Sequence, residues 1–173
     1  MTVVVADPPW MMEQKLGATR GAATHYDLMS DGDILEYYRP DFEDGFLFLW
    51  RLSSRVEIAY EVVHNWGFTP RTEIVWEKTT DSGKDWFGMG FYVRASHETC
   101  IVATRGKPRK QLTSRSIRSR FRAPVPRING KTLHSGKPPE FYSLVERLVE
   151  GPYTELFARA NRPGWVCSGK EIV

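Results

Sequence analysis

Cysteine is scarce in this 173-residue chain. Cys100 and Cys167 are the two present, each in an apolar, strand-like context without a second cysteine or clustered histidines at metal-ligand spacing. That excludes a disulfide framework and a zinc module and leaves two core thiols. Among His25, His64, His97 and His134 no pair has i, i+4 spacing, so all four read as hydrogen-bonded core or surface residues and no metal is expected. No run approaches the roughly 20 apolar residues that cross a bilayer, and the N-terminus has neither the basic region nor the apolar run of a signal peptide. A cytoplasmic protein without a membrane partner is therefore expected. A G-x-G-x-x-G fingerprint is missing too, so spacing alone names no nucleotide cofactor.

Acidic residues are absent from one long stretch. Residues 99–139 contain no Asp or Glu but eleven cations, whereas the remainder of the chain carries 13 basic and 21 acidic residues. A net charge of +3 thus hides a segment of +11 attached to a domain of −8. A polyanion is the natural partner for such a segment, and nucleic acid is the expectation.

What is present suffices for one core: 41% hydrophobic and 13% aromatic residues over the length of an ordinary globular unit, without internal repeats. A single domain over residues 1–173 is expected. Residues 2–6 (TVVVA) and 45–50 (GFLFLW) are continuous apolar runs of strand length, the pattern of strands buried on both faces. Residues 31–38 form a short helix candidate between them. Ser53 or Ser54 caps a helix in which Val56, Ala59, Tyr60, Val63 and Trp66 recur at three- and four-residue steps, with Gly67 as its stop. Residues 71–76 and 99–104 read as strands, 138–149 as a helix opening at proline, and 153–158 and 165–168 as closing strands. Strands joined through helices predict an α/β fold, a mainly parallel sheet with helices on both faces. Residues 79–94, glycines mixed with bulky aromatics, and 106–131, basic with prolines, are expected as loops, the second ordering on its partner.

The first strand ends on Asp7-Pro8-Pro9-Trp10. In open α/β sheets ligands bind beyond the carboxyl ends of strands, where this corner stands. Asp7 precedes a proline and is pushed to an extended backbone, and both prolines hold φ near one value, so the corner is preorganised. Its chemistry suits an exocyclic amine of a nucleobase, a poor nucleophile because its lone pair is delocalised into the ring. A carboxylate and a backbone carbonyl that accept its N–H bonds favour the pyramidal amine and share the developing positive charge. Trp10 is expected to stack on the unstacked base.

DPPW at a strand end, followed in order by HYDLMS, FLFLW, NWGF, EIVWEK, SHETCIVATRGKP, KPPEFYSLVERL and ELFAR, resembles the adenine N6-methyltransferases that include the catalytic subunit of the eukaryotic messenger-RNA adenosine methyltransferase. The resemblance covers nearly the whole chain. It implies a Rossmann-like methyltransferase fold in permuted order and methyl transfer from S-adenosylmethionine to the N6 of adenine, without a metal. Position by position, Asp7, Pro8, Pro9 and Trp10 match the catalytic tetrapeptide, with Asp7 close to the methyl donor. Tyr26 matches an active-site tyrosine, and Lys78 flanks the target base. Lys137 matches the lysine that pairs with the cofactor carboxylate, and a cation at a helix N-terminus independently calls for an anion there. Arg159, Asn161 and Glu171 match further cofactor contacts. The chain departs from the pattern at Lys170, where the family has Asn after Gly169, and in the upstream segment that relatives carry, so weaker cofactor binding is expected.

Arg115, Arg118, Arg120 and Arg122 are expected to clamp a phosphate backbone beside the corner. DNA is favoured slightly over RNA as the substrate. Two other readings stand beside this one: a catalytically silent nucleic-acid-binding partner subunit of the same fold, and methylation of cytosine N4. A homodimer or a partner subunit is compatible with all three.

Overall fold

The computed structural model describes residues 1–11, 28–90, 92–128, 130–133, 136–170 and 172; Tyr26, Glu171, His25 and His134 lie outside the described residues. In chain order the elements are β1 (Thr2–Ala6), α1 (Asp31–Glu36), β2 (Gly45–Arg51), α2 (Val56–Asn65), β3 (Thr69–Thr79), β4 (His97–Arg105), β5 (Arg120–Pro124), β6 (Arg127–Ile128), β7 (Lys131–Thr132), α3 (Pro139–Leu148), β8 (Tyr153–Leu156) and β9 (Trp165–Ser168). Seven strands form one sheet in the order β5-β3-β4-β2-β1-β8-β9. All its pairings are parallel except those of β4, which runs antiparallel to β2 and β3.

Alternation along the central strands feeds two cores. Val3, Val5, Phe46, Phe48 and Trp50 pack with Phe141 and Val145 of α3 on one face, and Val4, Ala6, Leu47 and Leu49 pack with Ala59, Val62 and Val63 of α2 and Ile34 of α1 on the other. This is the α/β arrangement that the continuous apolar runs predict, with helices on both faces. β8 comes from the last part of the chain yet pairs with β1, so residues far apart in sequence share one carboxyl edge.

Two expectations are corrected. The N-cap of α2 is Arg55, with no side-chain cap bond, not Ser53 or Ser54; Arg55 instead pairs with Asp31 at the start of α1. The other end of α2 is as expected: Gly67 has φ +79°, its N–H bonds His64 O, and Phe68 N–H reaches back to Val63 O, the bond pair of a glycine-terminated helix. Residues 106–131 are not one loop. They contain a 3-10 turn at Pro108–Gln111, the edge strand β5 paired with β3, and β6. β5 forms because RFRAP alternates: Phe121 and Ala123 face the α3-side core, while Arg120 and Arg122 lie on the opposite face.

Candidate active site

Asp7 follows β1 at the carboxyl edge of the parallel strands. Three hydrogen bonds hold the corner: Trp10 N–H donates to Pro8 O (2.8 Å), Met29 N–H to Pro9 O (3.1 Å), and the Trp10 indole Nε1 to Trp50 O (3.0 Å). The Trp10 ring is 4% exposed, among the side chains of the α1- and α2-side core. The expected base-stacking role of Trp10 is therefore corrected. A large ring with one donor is best buried where that donor finds a carbonyl, and Trp50 O supplies it. Trp10 braces the corner from behind. Trp10→Ala is expected to cost about 3–5 kcal/mol of stability, read from urea unfolding, with Trp10→Phe costing less; an unchanged midpoint in the alanine variant would contradict the bracing role.

Four charges alternate in sign from Asp7 outward. Lys137 Nζ, 5% exposed, lies 2.6 Å from Asp7 Oδ2 and 3.2 Å from Glu98 Oε2, and Lys78 Nζ lies 2.5 Å from Glu98 Oε1. The Lys137 ammonium also sits 5.1 Å from the centroid of the Trp50 ring. Burial raises the Asp7 carboxyl above its ordinary range, and Lys137 offsets this only in part. Burial pushes Glu98 up as well, but Lys137 and Lys78 together hold it at about 2. Burial disfavours the Lys137 ammonium, and the carboxylates of Asp7 and Glu98 outweigh that and raise it. Lys137 and Glu98 are thus charged at neutral pH, and Asp7 is the member that protonates first as pH falls.

The cleft beside this chain of charges is lined by Asp7, Lys137, Tyr142, Glu155, Phe157, Arg159 and Arg162, among others. Tyr142 Oη donates to the buried Glu155 Oε1 (2.6 Å), and burial raises the Glu155 carboxyl. The Arg162 guanidinium lies 3.3 Å over the Tyr142 ring. Phe157 leaves β8 with φ +59°, a strained conformation for an aromatic residue, and its ring sits 4.2 Å from that of Tyr37. Gly169 leaves β9 so close to β8 that a Cβ there would lie 2.1 Å from Ala158 O. A larger, shallower depression of about 490 Å³ over β3, lined by Tyr60, Arg71 and Glu73, contains none of the expected site residues.

The structure brings Asp7, Lys137 and Arg159 together on the cleft, where Lys137 and, more weakly, Arg159 oppose the rise that burial causes in the Asp7 carboxyl, and places Lys78 at the end of the charge chain. Asn161 is exposed and does not line the cleft. The four arginines do not form one clamp. Arg120 pairs with Glu77 (2.6 Å), and Arg122 pairs with Asp85 (3.0 Å) and more distantly with Glu77 (3.8 Å), whereas Arg115 and Arg118 are exposed on the segment leading into β5. The fold lays acids from β3 and its exit over cations that the sequence keeps apart from them.

Residues 1–171 match the MT-A70 family. The chain belongs to this family. Among curated MT-A70 relatives, the N(6)-adenosine-methyltransferase catalytic subunit METTL3 of Homo sapiens is 30% identical over 98% of the chain. The N(6)-adenosine-methyltransferase MT-A70-like protein of Drosophila melanogaster is 29% identical and the N(6)-adenine-specific methyltransferase METTL4 of Mus musculus 28%, each over 98% of the chain. The chain spans 28%, 26% and 37% of the length of these three proteins. Within this MT-A70 domain, sequence reasoning assigned no chemistry to Glu98, Glu155 or Tyr142. The signal for both acids was a charge at the cleft end of an apolar strand, Glu98 before TCIVAT and Glu155 inside YTELF.

Proposed function

We propose that this MT-A70 domain transfers a methyl group from S-adenosylmethionine to the N6 amine of adenine in nucleic acid. The observation that carries the reading is the convergence of Asp7, held on the DPPW corner, with Lys137 and Arg159 on one cleft at the carboxyl edge of the sheet. The relatives named above for N6 methylation of adenosine or adenine support it.

The donor set fits the cofactor. Lys137 and Arg159 suit a carboxylate, the carboxylates of Asp7 and Glu155 suit an ammonium or sulfonium, and Phe157 supplies an apolar wall. The enclosed part of the cleft measures about 110 Å³. Whole-ligand pockets measure about 300–1,000 Å³, so this part would take one end of the molecule, the amino-acid end by charge. Bound there, the cofactor supplies an electrophilic methyl group.

Asp7 does the work on the acceptor. Its Oδ2 is held by Lys137, and Oδ1 is the oxygen proposed to accept an amine hydrogen. Pro8 O already accepts Trp10 N–H and has a second lone pair for the other hydrogen. Two acceptors fixed by a rigid corner favour a pyramidal nitrogen and stabilise its developing positive charge without reorganisation. Burial raises the Asp7 carboxyl and Lys137 opposes that rise, while Glu98 and Lys78 keep Lys137 in place.

Labelled cofactor offered with single- and double-stranded DNA and RNA tests the reading. Label is expected in adenine-containing strands and not in adenine-free ones; no transfer to any of them, or transfer to cytosine, would contradict it. DNA and RNA are separate arms, since the relatives' names speak of adenosine and of adenine.

Arg115 and Arg118, without an acid partner among the described residues, are proposed as the phosphate-binding groups of the basic segment, ahead of Arg120 and Arg122. Replacing Arg115 and Arg118 by alanine is expected to flatten the slope of log affinity against log salt by about 0.7–0.9 for each phosphate that is no longer neutralised. Replacing Arg120 and Arg122 is expected to change it less. Equal slopes in both variants and the parent would remove the segment from the nucleic-acid path.

A further inference from the structure

The excursion between β3 and β4 plays no part in the chemistry of Asp7, yet it has the most exposed apolar side chains of the described residues. It is a built structure: Lys78 N–H donates to Ser96 O (2.9 Å), Trp86 N–H to Lys78 O (3.1 Å), Thr79 bridges Asp85, and Trp86 packs against the α3-side core. Beyond Trp86 the apolar residues turn outward. Phe87 is 75% exposed, Met89 90%, Tyr92 95% and Val93 79%. Large apolar groups concentrated in water at one place mark a contact surface.

Charges of both signs surround it: Asp81 and Asp85 pair with Arg127 and Arg122 of the neighbouring strands, and Lys84 and Arg94 are its own cations. The Arg94 guanidinium lies 4.8 Å from the centroid of the Phe87 ring, Lys84 is exposed on the same excursion, and Arg122 holds its base through Gly83 O (3.2 Å) and Asp85 (3.0 Å). The excursion leaves β3 just after Lys78 and Thr79, and Lys78 is joined through Glu98 and Lys137 to Asp7.

We propose that this excursion is a stacking platform for unpaired nucleotides beside the target adenine, with Phe87 and Tyr92 taking base faces and Arg94 and Lys84 the phosphates. The proposal rests on the reading that the substrate is nucleic acid, and it narrows that substrate to a strand unpaired around the target. An adenine whose N6 is to reach Asp7 has lost its stacking neighbours, and aromatic faces replace them with little regard to sequence. Rings interleaved with cations are the composition that such strands require. Beside the platform, Arg122 and Arg120 share one face of the edge strand β5, where Asp85 and Glu77 pair with them.

The test is a fluorescence titration of single-stranded oligonucleotides with 2-aminopurine next to the target adenine, using the parent protein and a Phe87→Ser, Tyr92→Ser double variant. Both side chains are exposed, so the variant is expected to keep the parent's circular dichroism and its cofactor affinity by calorimetry. The parent is expected to change the probe's emission on binding; the variant is expected to lose that change and about tenfold in affinity per ring. Unchanged affinity and emission in the variant would overturn the proposal, as would a parent that fails to bind the strand. A parent that self-associates at the titration concentrations, with a monomeric variant, would overturn it in favour of a second copy of the chain on this surface. An emission response retained by a parent that transfers no methyl group would support the platform and count against the reaction alone.

Discussion

Asp7→Asn is expected to abolish methyl transfer, at a cost of at least about two to three decades in turnover, while the protein folds and binds its cofactor. The substitution keeps the shape of the corner and its three hydrogen bonds, none of which uses the Asp7 side chain. Lys137 retains Glu98 as a partner, so no buried charge is orphaned. What disappears is an anionic acceptor facing a nitrogen that becomes positive, an interaction strongest in the transition state. Single-turnover transfer combined with cofactor calorimetry separates this from a binding defect, and near-normal turnover in the variant would remove Asp7 from the chemistry. The parent carries the same signature in its pH profile. Because burial raises the Asp7 carboxyl, activity is expected to fall with decreasing pH through an apparent value above the ordinary carboxylate range, as protonation removes the acceptor. Glu98, held at about 2, contributes nothing to that limb.

Lys137→Ala is expected to act more broadly. It removes the cation proposed for the cofactor carboxylate, and a charge-assisted hydrogen bond of about 1.5–3 kcal/mol corresponds to roughly one to two decades in affinity for S-adenosylmethionine. It also leaves the carboxylates of Asp7 and Glu98 facing each other in a buried site. Breaking a buried ion pair costs about 3–5 kcal/mol, so unfolding should come at lower urea. The Asp7 carboxyl, without its strongest counter-charge, should rise further and carry the acid limb of activity upward. Lys137→Arg keeps the charge and should restore stability better than it restores cofactor affinity, since a planar fork does not replace a compact ammonium. Unchanged cofactor affinity in a folded Lys137→Ala protein would exclude the cofactor role and leave Lys137 a partner of Asp7 and Glu98.

What is legible in the sequence is what local pattern decides. TVVVA and GFLFLW are apolar on both faces and lie at the centre of the sheet, and the three- and four-residue steps from Val56 to Trp66 mark the helix whose glycine stop is in place. Lys137 was legible because a cation before a helix start calls for an anion; the structure supplies Asp7 and Glu98, both distant in sequence. What failed depended on distant partners. The direction of the Trp10 ring is set by a carbonyl forty residues away. The strand at RFRAP has a clear alternation, masked by charge that Glu77 and Asp85 balance only after folding. Glu155 reads as an ordinary strand acid until Tyr142, from the helix before it, reaches its carboxylate.

The bond formed is the most direct test of the central claim. An adenine-containing strand carrying nitrogen-15 at N6 is incubated with the protein and a cofactor whose methyl group carries carbon-13, and the purified product is examined by nuclear magnetic resonance. A one-bond carbon–nitrogen coupling on the transferred methyl, absent when Asp7→Asn replaces the parent, is the expected result. A transferred methyl without that coupling, or equal transfer by the Asp7→Asn protein, would contradict it.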